Sequence, residues 1–491
     1  MSRSIAIGLA SFVLVTGLAL TTVPVQAATA PPTRATSPIT WKQVSVPSGN
    51  LLLGGQPALA RDSAGNLHAI FVSDSYQYWD AKFTPLGAAS GSVHKVFSSA
   101  WSGLSQTPWL VPGSKTSPML LVFTGQRGGT PSVYDNGCMY GATSSTGATW
   151  TLSTEGYSNS CAGIGDESTA MVGTTPYTAW NGPGDGFTYH VGAGPAIPAS
   201  SADSTVSLGV GDGSAVFHTV TALDAKGGAH LALAGFDGVA TNIKHNGTYA
   251  WDTSIGTGNH VRKAPSSSPY QGNSQRVAMV SGGTAHLPFV AYCTGTSTSS
   301  PQCTGVRLWN VINNTTIGLG GSKGASLVAA SAGPAGRVWV AFYKTGTPGT
   351  VTVARTNKAV TKFGPERTYK AAPLVTQATL AIEGSQGRLD IFMSGDNAKL
   401  VPSLFHAQVL SPLTLKASKT KLPTTGGQIT FTVLDAGNPV QGATVSLLGK
   451  SGTTGTKGTV TLKFGKTKAG TYTATAKKAG YAGAKLKIKV G

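Results

Sequence analysis

The sequence predicts an all-β protein in which a β-propeller is followed by a small β-sandwich. Gly (65) and Pro (27) make up nearly a fifth of the 491 residues, and only 11% of residues are charged. This composition suits short strands joined by tight turns and disfavours long surface helices. An apolar stretch also recurs seven times along the chain, at intervals of 50–59 residues. The hydrophobic content of 40% is enough for a sizeable core, which argues against extensive disorder.

The first segment, 1–27, is predicted to be a secretory signal peptide. Arg3 precedes an almost wholly apolar run, and the small residues that end at Ala27 mark a cleavage site. Residues 28–39 are predicted to be a flexible leader. No later run approaches the roughly 20 apolar residues that span a bilayer. We therefore expect a secreted protein without a membrane span, either released or associated with the cell wall.

The seven recurring stretches predict a propeller over residues 40–411. Each stretch ends in a large side chain, aromatic in six of the seven cases: Phe71, Phe123, Trp180, Leu233, Tyr292, Phe342 and Phe392. A spacing near 53 residues fits one four-stranded blade. The sequence thus predicts seven blades, with six as the alternative if one unit is miscounted. A spare strand at 40–46 is predicted to complete the last blade and remove its open edge.

One turn resembles a known motif. Thr143–Trp150 is similar to the Asp-box, Ser-x-Asp-x-Gly-x-Thr-Trp, of sialidase-type propellers, with Ser145 in place of the motif's Asp. The resemblance implies a secreted bacterial propeller of the sialidase-like type and a turn between the third and fourth strands of a blade. Sialidases also carry an arginine triad, a Tyr–Glu nucleophile pair and a Phe/Tyr-Arg-Ile-Pro start to the first blade. The sequence lacks that start and is poor in Arg and Glu, so sialic acid hydrolysis is not expected.

Residues 412–491 are predicted to form a separate β-sandwich. Apolar and polar residues alternate in stretches such as Gln428–Leu434 and Gly458–Phe464. The turn Asp435–Gly442 and the later Ala479–Tyr481 resemble bacterial immunoglobulin-like and carboxypeptidase-regulatory-like modules. The resemblance implies a spacer or an adhesive appendage.

Charge is concentrated in this last segment. It contains 13 lysines and one acid, Asp435, whereas residues 28–411 hold 23 basic and 17 acidic residues. An exported basic module is expected to contact an anionic envelope polymer or an acidic glycan. A merely solvated lysine surface is the alternative. Nucleic acid is not an expected partner, and the protein is predicted to be a monomer.

The four cysteines are predicted to form structural disulfides, as export favours. Three pairings of Cys138, Cys161, Cys293 and Cys303 are possible, and the local one, 138–161 with 293–303, is the simplest. Their spacing matches no zinc site. No metal or cofactor is predicted, although the sequence does not decide whether a loop holds a structural calcium.

The candidate ligand-binding residues lie where inner strands begin and where the second strand of a unit turns into the third. Gln56, Gln106, Gln275 and Gln377 precede inner strands, where an amide can both donate to and accept from a hydroxyl-rich ligand. The alternative is that each glutamine ties neighbouring blades together. Further candidates that could stack on sugars or bind their hydroxyls are Tyr76, Trp79, Trp101, Arg127 and Asn181.

If the protein is an enzyme, Glu167 is the first candidate for catalysis. It occupies the position before an inner strand where other repeats have a glutamine, and repulsion from Asp166 would raise its pKa. Asp74 or Asp185 could supply the second carboxylate of a glycosidase. His190 with Tyr189 would instead suit a lyase. The leading interpretation is a non-catalytic protein that binds glycans or the cell surface. A polysaccharide hydrolase or lyase and a structural envelope or matrix protein are the alternatives.

Overall fold

The described part of the chain is all-β, which confirms the predicted fold class. The computed structural model describes residues 39–47, 50–52, 55–85, 90–98, 101, 103–104, 107–126, 138–152, 165–172, 175–181, 188–193, 204–207, 216–223, 231–237, 247–252, 261–268, 277–296, 302–377, 379–385 and 387–491. These residues lie within one compact unit, Arg34–Gly491. In these ranges the only helical element is a 3₁₀ turn at Pro334–Gly336, and no helix long and apolar enough to cross a membrane is found. The predicted signal peptide lies outside them.

The N-terminal half of the described chain forms a series of antiparallel sheets in chain order. A short strand, β1 (Lys42–Val44), comes first. The first sheet contains β2 (Ala58–Arg61), β3 (Leu67–Val72), β4 (Tyr78–Phe83) and β5 (Ser90–Lys95). The second contains β6 (Gly103–Leu104), β7 (Trp109–Val111), β8 (Met119–Gln126), β9 (Cys138–Ser144) and β10 (Thr151–Leu152). The third contains β11 (Gly165–Val172), β12 (Thr175–Asn181), β13 (Thr188–Ala193) and β14 (Ser204–Ser207).

The series continues to residue 412. The fourth sheet contains β15 (Val216–Leu223), β16 (Leu231–Asp237), β17 (Gly247–Asp252) and β18 (Val261–Lys263). The fifth contains β19 (Val277–Gly282), β20 (Leu287–Thr294), β21 (Gly305–Asn310) and β22 (Thr315–Leu319). The sixth contains β23 (Ala325–Ala332), β24 (Val338–Lys344), β25 (Thr350–Arg355) and β26 (Arg367–Lys370). The seventh contains β27 (Thr379–Ser385), β28 (Arg388–Asp396) and β29 (Pro402–Pro412), with β1 as its outer strand.

The inner strands form a closed ring, which makes this part of the molecule a β-propeller. In order they are β2, β7, β11, β15, β19, β23 and β27, and each contacts the next. The last of them, β27, contacts β2. β1 pairs antiparallel with β29, with Lys42 opposite His406 and Val44 opposite Leu404. The first and last segments of the ring are therefore joined in one sheet.

The core of the propeller lies between successive sheets. One apolar cluster joins the first and second sheets, and comparable clusters join the fifth to the sixth and the sixth to the seventh. Another, which includes Val44, Phe71 and Phe392, joins the seventh sheet back to the first. Because both faces of a sheet are covered, a strand in its middle can be buried along its whole length rather than at alternate residues, as in β3, where every residue is buried.

The C-terminal segment forms two further sheets around a core of its own. Its strands are β30 (Thr414–Ala417), β31 (Lys421–Leu422), β32 (Gly427–Asp435), β33 (Asn438–Pro439), β34 (Thr444–Leu447), β35 (Lys450–Thr453), β36 (Thr459–Phe464), β37 (Gly470–Lys477), β38 (Tyr481–Ala482) and β39 (Ala484–Val490). One sheet contains β30, β32, β33 and β36, and the other has the order β31-β39-β37-β34-β35. Strands here alternate between buried and exposed residues, because one face of each sheet meets the shared core and the other meets solvent.

A disulfide joins Cys293 to Cys303 across the end of β20 and the start of β21. This is one of the two local pairs that the sequence predicts. Cys161 and the side chain of Cys138 lie outside the described residues.

Candidate functional site

One end of the propeller carries four of the predicted ligand-binding positions that the structure describes, Gln56, Tyr76, Asn181 and Gln377. We call it the linker face: it contains the segments that lead from one sheet to the next inner strand and the turns between second and third strands. In three sheets the linker forms an isolated β-bridge with that turn or the strand end before it, at Leu51–Ser73, Ser267–Thr294 and Leu374–Asn397. The repeated bridge holds linker and turn side by side, so their side chains form one surface.

Asp74 on this face is bound by the neighbouring linker. Its two carboxylate oxygens accept hydrogen bonds from the Asn50 backbone N–H at 3.1 Å and from Asn50 Nδ2 at 3.2 Å. Asp74 itself is exposed. The pair therefore presents a fixed carboxylate and amide to solvent.

Tyr76 occupies the same turn in an unusual backbone conformation. Its φ is 51°, in the left-handed region, and its ring packs partly against the apolar cluster of the first two sheets. The turn at 397–401 in the seventh sheet repeats this geometry, with Leu400 at φ 57°. Leu400 is 74% exposed, and Val375, in the linker of the same sheet, is 56% exposed. The linker face of the seventh sheet therefore includes two exposed apolar side chains.

The described inner-strand glutamines are engaged within the fold. Gln377 Oε1 accepts a hydrogen bond from Tyr343 Oη at 2.5 Å, and its Nε2 donates to the Leu374 carbonyl at 2.9 Å. Tyr343 belongs to the sixth sheet, so Gln377 connects two sheets, and burial raises the pKa of Tyr343. Gln56 is half-buried at the start of the first sheet. Gln106 and Gln275 lie outside the described residues.

Two predicted sugar-stacking residues lie in the core instead of on the surface. Trp79 is 8% exposed and belongs to the cluster that joins the seventh sheet to the first. Trp101 is 6% exposed and contacts Phe123 and Tyr140 edge-on, with ring centroids 5.4 and 4.9 Å apart. Their rings stabilise the contacts between sheets, and neither is available to a ligand.

The first-choice catalytic residues lie in a β-bulge at the linker end of an inner strand. The pairing of β11 with β12 shifts between Gly165 and Ser168, the stretch that contains Asp166 and Glu167. The adjacent inner strand, β15, has the same irregularity between Phe217 and Val220. Bulges are common beside functional sites because they re-aim side chains. Asn181 ends β12 opposite Gly165, and its strand neighbour in β13 is Tyr189. His190 follows in β13, whereas Asp185 and Arg127 lie outside the described residues.

The opposite end of the propeller contains buried charge clusters that the sequence did not reveal. Asp390 accepts hydrogen bonds from Arg61 Nη2 at 2.6 Å and His406 Nε2 at 2.9 Å, and Arg61 also lies 3.8 Å from Glu383. Arg61 comes from the first sheet and the two acids from the seventh. The cluster therefore connects the first and last sheets of the ring. In the sequence, the only local sign of such a cluster is a charged residue inside an otherwise apolar strand, such as Asp390.

A second buried cluster surrounds His68. Its Nδ1 lies 2.8 Å from Asp80 and its Nε2 lies 3.3 Å from Asp62. Gly147, in the turn between β9 and β10 that resembles an Asp-box, packs directly against it with φ +77°. A Cβ at Gly147 would lie 2.2 Å from a His68 ring atom, so glycine is required there. No group of three potential metal ligands with suitable geometry occurs among the described residues.

The C-terminal sheets carry a second, chemically different surface. Twelve of their thirteen lysines are exposed, and Lys478 is half-buried. The single acid of this segment, Asp435, is 1% exposed and contacts Arg337 and Arg355 of the sixth sheet. The positive charge of this surface is thus not balanced within the segment.

Comparisons with known proteins give weak likenesses. No protein-family model and no curated protein matches the chain. A chain of the mitotic checkpoint complex is 12% identical, with 78% of this chain and 98% of that one covered and a TM-score of 0.43. The fucose-binding, six-bladed lectin of Aleuria aurantia is 12% identical, with 73% and 93% covered and a TM-score of 0.36. A neuraminidase-like protein of A/flat-faced bat/Peru is 10% identical, with 73% and 97% covered and a TM-score of 0.37.

Proposed function

We propose that this chain is an exported, non-catalytic binding protein with two contact surfaces. The propeller binds a glycan or another cell-surface ligand at its linker face, and the basic segment 412–491 contacts anionic polymers of the cell envelope. The observation that carries this proposal is the separation of charge in that segment, whose lysines are exposed while Asp435 is buried. A surface of uniformly positive charge attracts polyanions over about one Debye length, roughly 8 Å at physiological ionic strength.

The use of the carboxylates supports binding over hydrolysis. Each carboxylate whose side chain the structure describes accepts a hydrogen bond or ion pair within the fold: Asp62, Asp74, Asp80, Glu366, Glu383, Asp390, Asp396 and Asp435. A glycosidase needs two carboxylates that face the scissile bond. Among these described carboxylates, Asp74 and Asp396 lie on the linker face, and the other six serve the fold.

The linker face supports a hydroxyl-rich ligand. It offers the Asn50–Asp74 pair, and Asp396 accepts a hydrogen bond from Thr376 at 3.0 Å on the seventh sheet. Carboxylates and amides held in place by the backbone can bind hydroxyl groups without a further loss of side-chain entropy. The exposed Leu400 and Val375 provide apolar contact area beside them.

The finer architecture belongs to the same proposal. Seven sheets in the described residues, a closed ring of inner strands and the pairing of β1 with β29 support seven blades over 40–411. Two sheets with a common apolar core support an immunoglobulin-like sandwich over 412–491. The signal sequence at 1–27 supports export of the mature chain, and the charge of the sandwich supports retention at the cell envelope.

A polysaccharide hydrolase or lyase is the second candidate. It is favoured by one observation, the bulges in β11 and β15, which place Asp166, Glu167 and His218 at the same end of adjacent inner strands.

A glycan array and a polysaccharide panel test the function directly. The full chain is compared with Glu167→Gln and with Asp74→Asn, which removes a charge from the proposed binding surface, and both retention and product release are scored. We expect retention without product, unchanged in Glu167→Gln and weakened in Asp74→Asn. Product that disappears with Glu167→Gln would show an enzyme. If no glycan and no anionic polymer retains the chain, the binding function is wrong and a structural role is favoured.

A further inference from the structure

The sheet β31-β39-β37-β34-β35 has an outward face of unusually uniform chemistry, which we call the lysine face. It consists of Lys421, Lys477, Lys485, Lys487 and Lys489 with the hydroxyl residues between them. In β39 the lysines alternate with the buried or partly buried Leu486, Ile488 and Val490. Antiparallel strands rise about 3.4 Å per residue, so the Cα atoms of the three lysines of β39 repeat at about 7 Å.

Threonines complete the pattern on the neighbouring strand. In the register of β39 with β37, Lys485 lies opposite Thr475, Lys487 opposite Thr473 and Lys489 opposite Thr471. The next strands continue the hydroxyl row, because Thr475 lies opposite Ser446 in β34. Rows of hydroxyl groups therefore run beside a row of positive charges.

One pair of lysines works against the stability of the sheet. Lys421 lies directly opposite Lys489 in the pairing of β31 with β39, and like charges opposite one another destabilise a sheet. The segment's one acid, Asp435, is occupied by two arginines and cannot neutralise them. A local arrangement that opposes stability without an internal compensation is expected where a surface has a function.

We propose that the lysine face binds a linear polyol phosphodiester polymer. This inference rests on the proposed contact of segment 412–491 with anionic envelope polymers and names the surface and the polymer class. The segment contains 13 lysines and no arginine. Lysine is a common phosphate-binding residue and acts as a point charge, so a regular row of lysines suits a polymer whose phosphate groups repeat along its length.

The absence of ring-stacking groups on the face points to an acyclic polymer backbone. All residues of this sheet are described, and Tyr472, its aromatic residue on β37, packs against the core. Pyranose rings are recognised by stacking on aromatic side chains, which the face does not offer. A flexible polyol chain needs only charges at regular spacing and hydroxyl partners, and the lysine and threonine rows supply both.

The experiment measures the affinity of the full chain for poly(glycerol phosphate) over about 50 to 300 mM salt. The variant K485Q/K487Q/K489Q is compared with K416Q/K457Q/K463Q, which removes three exposed lysines of the same segment from other surfaces. Each lysine–phosphate contact contributes about one unit to the slope of log affinity against log salt. We expect the face variant to lose about two to three units of slope and to bind roughly tenfold more weakly at low salt. The control should lose less than half as much.

The remaining outcomes separate this inference from the proposed function. Equal losses in the two variants would show general charge attraction and overturn the lysine face, while the envelope contact would stand. Tighter binding to polygalacturonate or to single-stranded DNA would overturn the polymer class. If no anionic polymer binds, the envelope contact itself is wrong. Lysines near a sheet edge also prevent pairing between copies, so aggregation of the face variant with unchanged polymer binding would assign them that role instead.

Discussion

At the scale of single residues, two acids that face each other across strands have opposite electrostatic behaviour. Glu383 in β27 lies opposite Asp390 in β28. Burial raises the pKa of Glu383 to about 7, and Arg61 only partly offsets it. Burial also acts on Asp390, but the hydrogen bond from His406 and the nearby Arg388 outweigh it and hold the pKa of Asp390 below its usual range. The two groups therefore contribute to stability at opposite ends of the pH scale.

Compared with the wild type, the Glu383→Gln variant should become more stable as pH rises. The folded chain holds a proton on Glu383 up to a pKa of about 7, against 4.5 for an ordinary glutamate. Between these values the folded state binds more protons than the unfolded state, so the wild type loses stability as pH increases through this window. We expect the stability of the variant minus that of the wild type to grow by about 1–3 kcal/mol from pH 5 to pH 8. Urea unfolding at several pH values measures this difference in stability. A difference that does not change with pH would contradict the raised pKa of Glu383.

At the scale of elements, the closure of the ring depends on a strand of three residues. Without β1, the edge of β29 would be unpaired over Leu404–His406, and exposed edges recruit other strands. Val44 is 2% exposed between the seventh and first sheets, and the Trp41 indole N–H donates to the Lys370 carbonyl at 3.0 Å. These contacts connect the start of the chain to its far end.

A chain that begins at residue 48 should therefore be less stable and self-associate. We expect a loss of about 2–4 kcal/mol, the range for removing one large buried side chain with its neighbours, together with oligomers in light scattering. The matched control begins at residue 39 and keeps β1. Equal stability of the two chains in denaturant unfolding would show that β1 is not needed for closure.

The elements were more predictable than the contacts between them. Strands buried on both faces must be apolar, so seven apolar stretches were visible as a period in the sequence. The Arg61–Asp390 pair joins residues 329 positions apart, and only the closed ring brings them together. Trp79 and Trp101 show the same limit, because an aromatic residue suits a core and a sugar site equally well. Which of the two it joins depends on how neighbouring sheets pack. The lysine count of the last segment was evident, but its arrangement on one sheet face requires the strand register.

At the scale of the whole molecule, Asp435 connects the C-terminal sheets to the propeller. Its carboxylate is paired with Arg355 and with Arg337 Nη2, the latter at 3.3 Å, and accepts a hydrogen bond from Ser411 Oγ at 3.2 Å. β29 also continues into a parallel pairing with β38, at Ser411–Tyr481. Burial lowers the pKa of Arg337, and Asp435 opposes that shift by favouring the charged guanidinium. The linker face and the lysine face thus belong to parts of one molecule that are joined by buried charges.

Asp435→Asn should destabilise the propeller although the substitution lies outside it. Removing the carboxylate leaves two buried arginines without their shared counter-charge, and breaking a buried ion pair in this way costs about 3–5 kcal/mol. All nine tryptophans precede residue 412, so tryptophan fluorescence reports on the propeller alone. We expect its guanidinium unfolding midpoint to fall in Asp435→Asn. Asn438→Ala is the control, because it removes only the 2.9 Å hydrogen bond from the Lys358 N–H in the same contact and should cost about 1 kcal/mol. A fluorescence midpoint that stays at the wild-type value, while circular dichroism shows the C-terminal sheets unfolding earlier, would mean that the two parts are stable independently. The two binding surfaces would then be linked only by the chain.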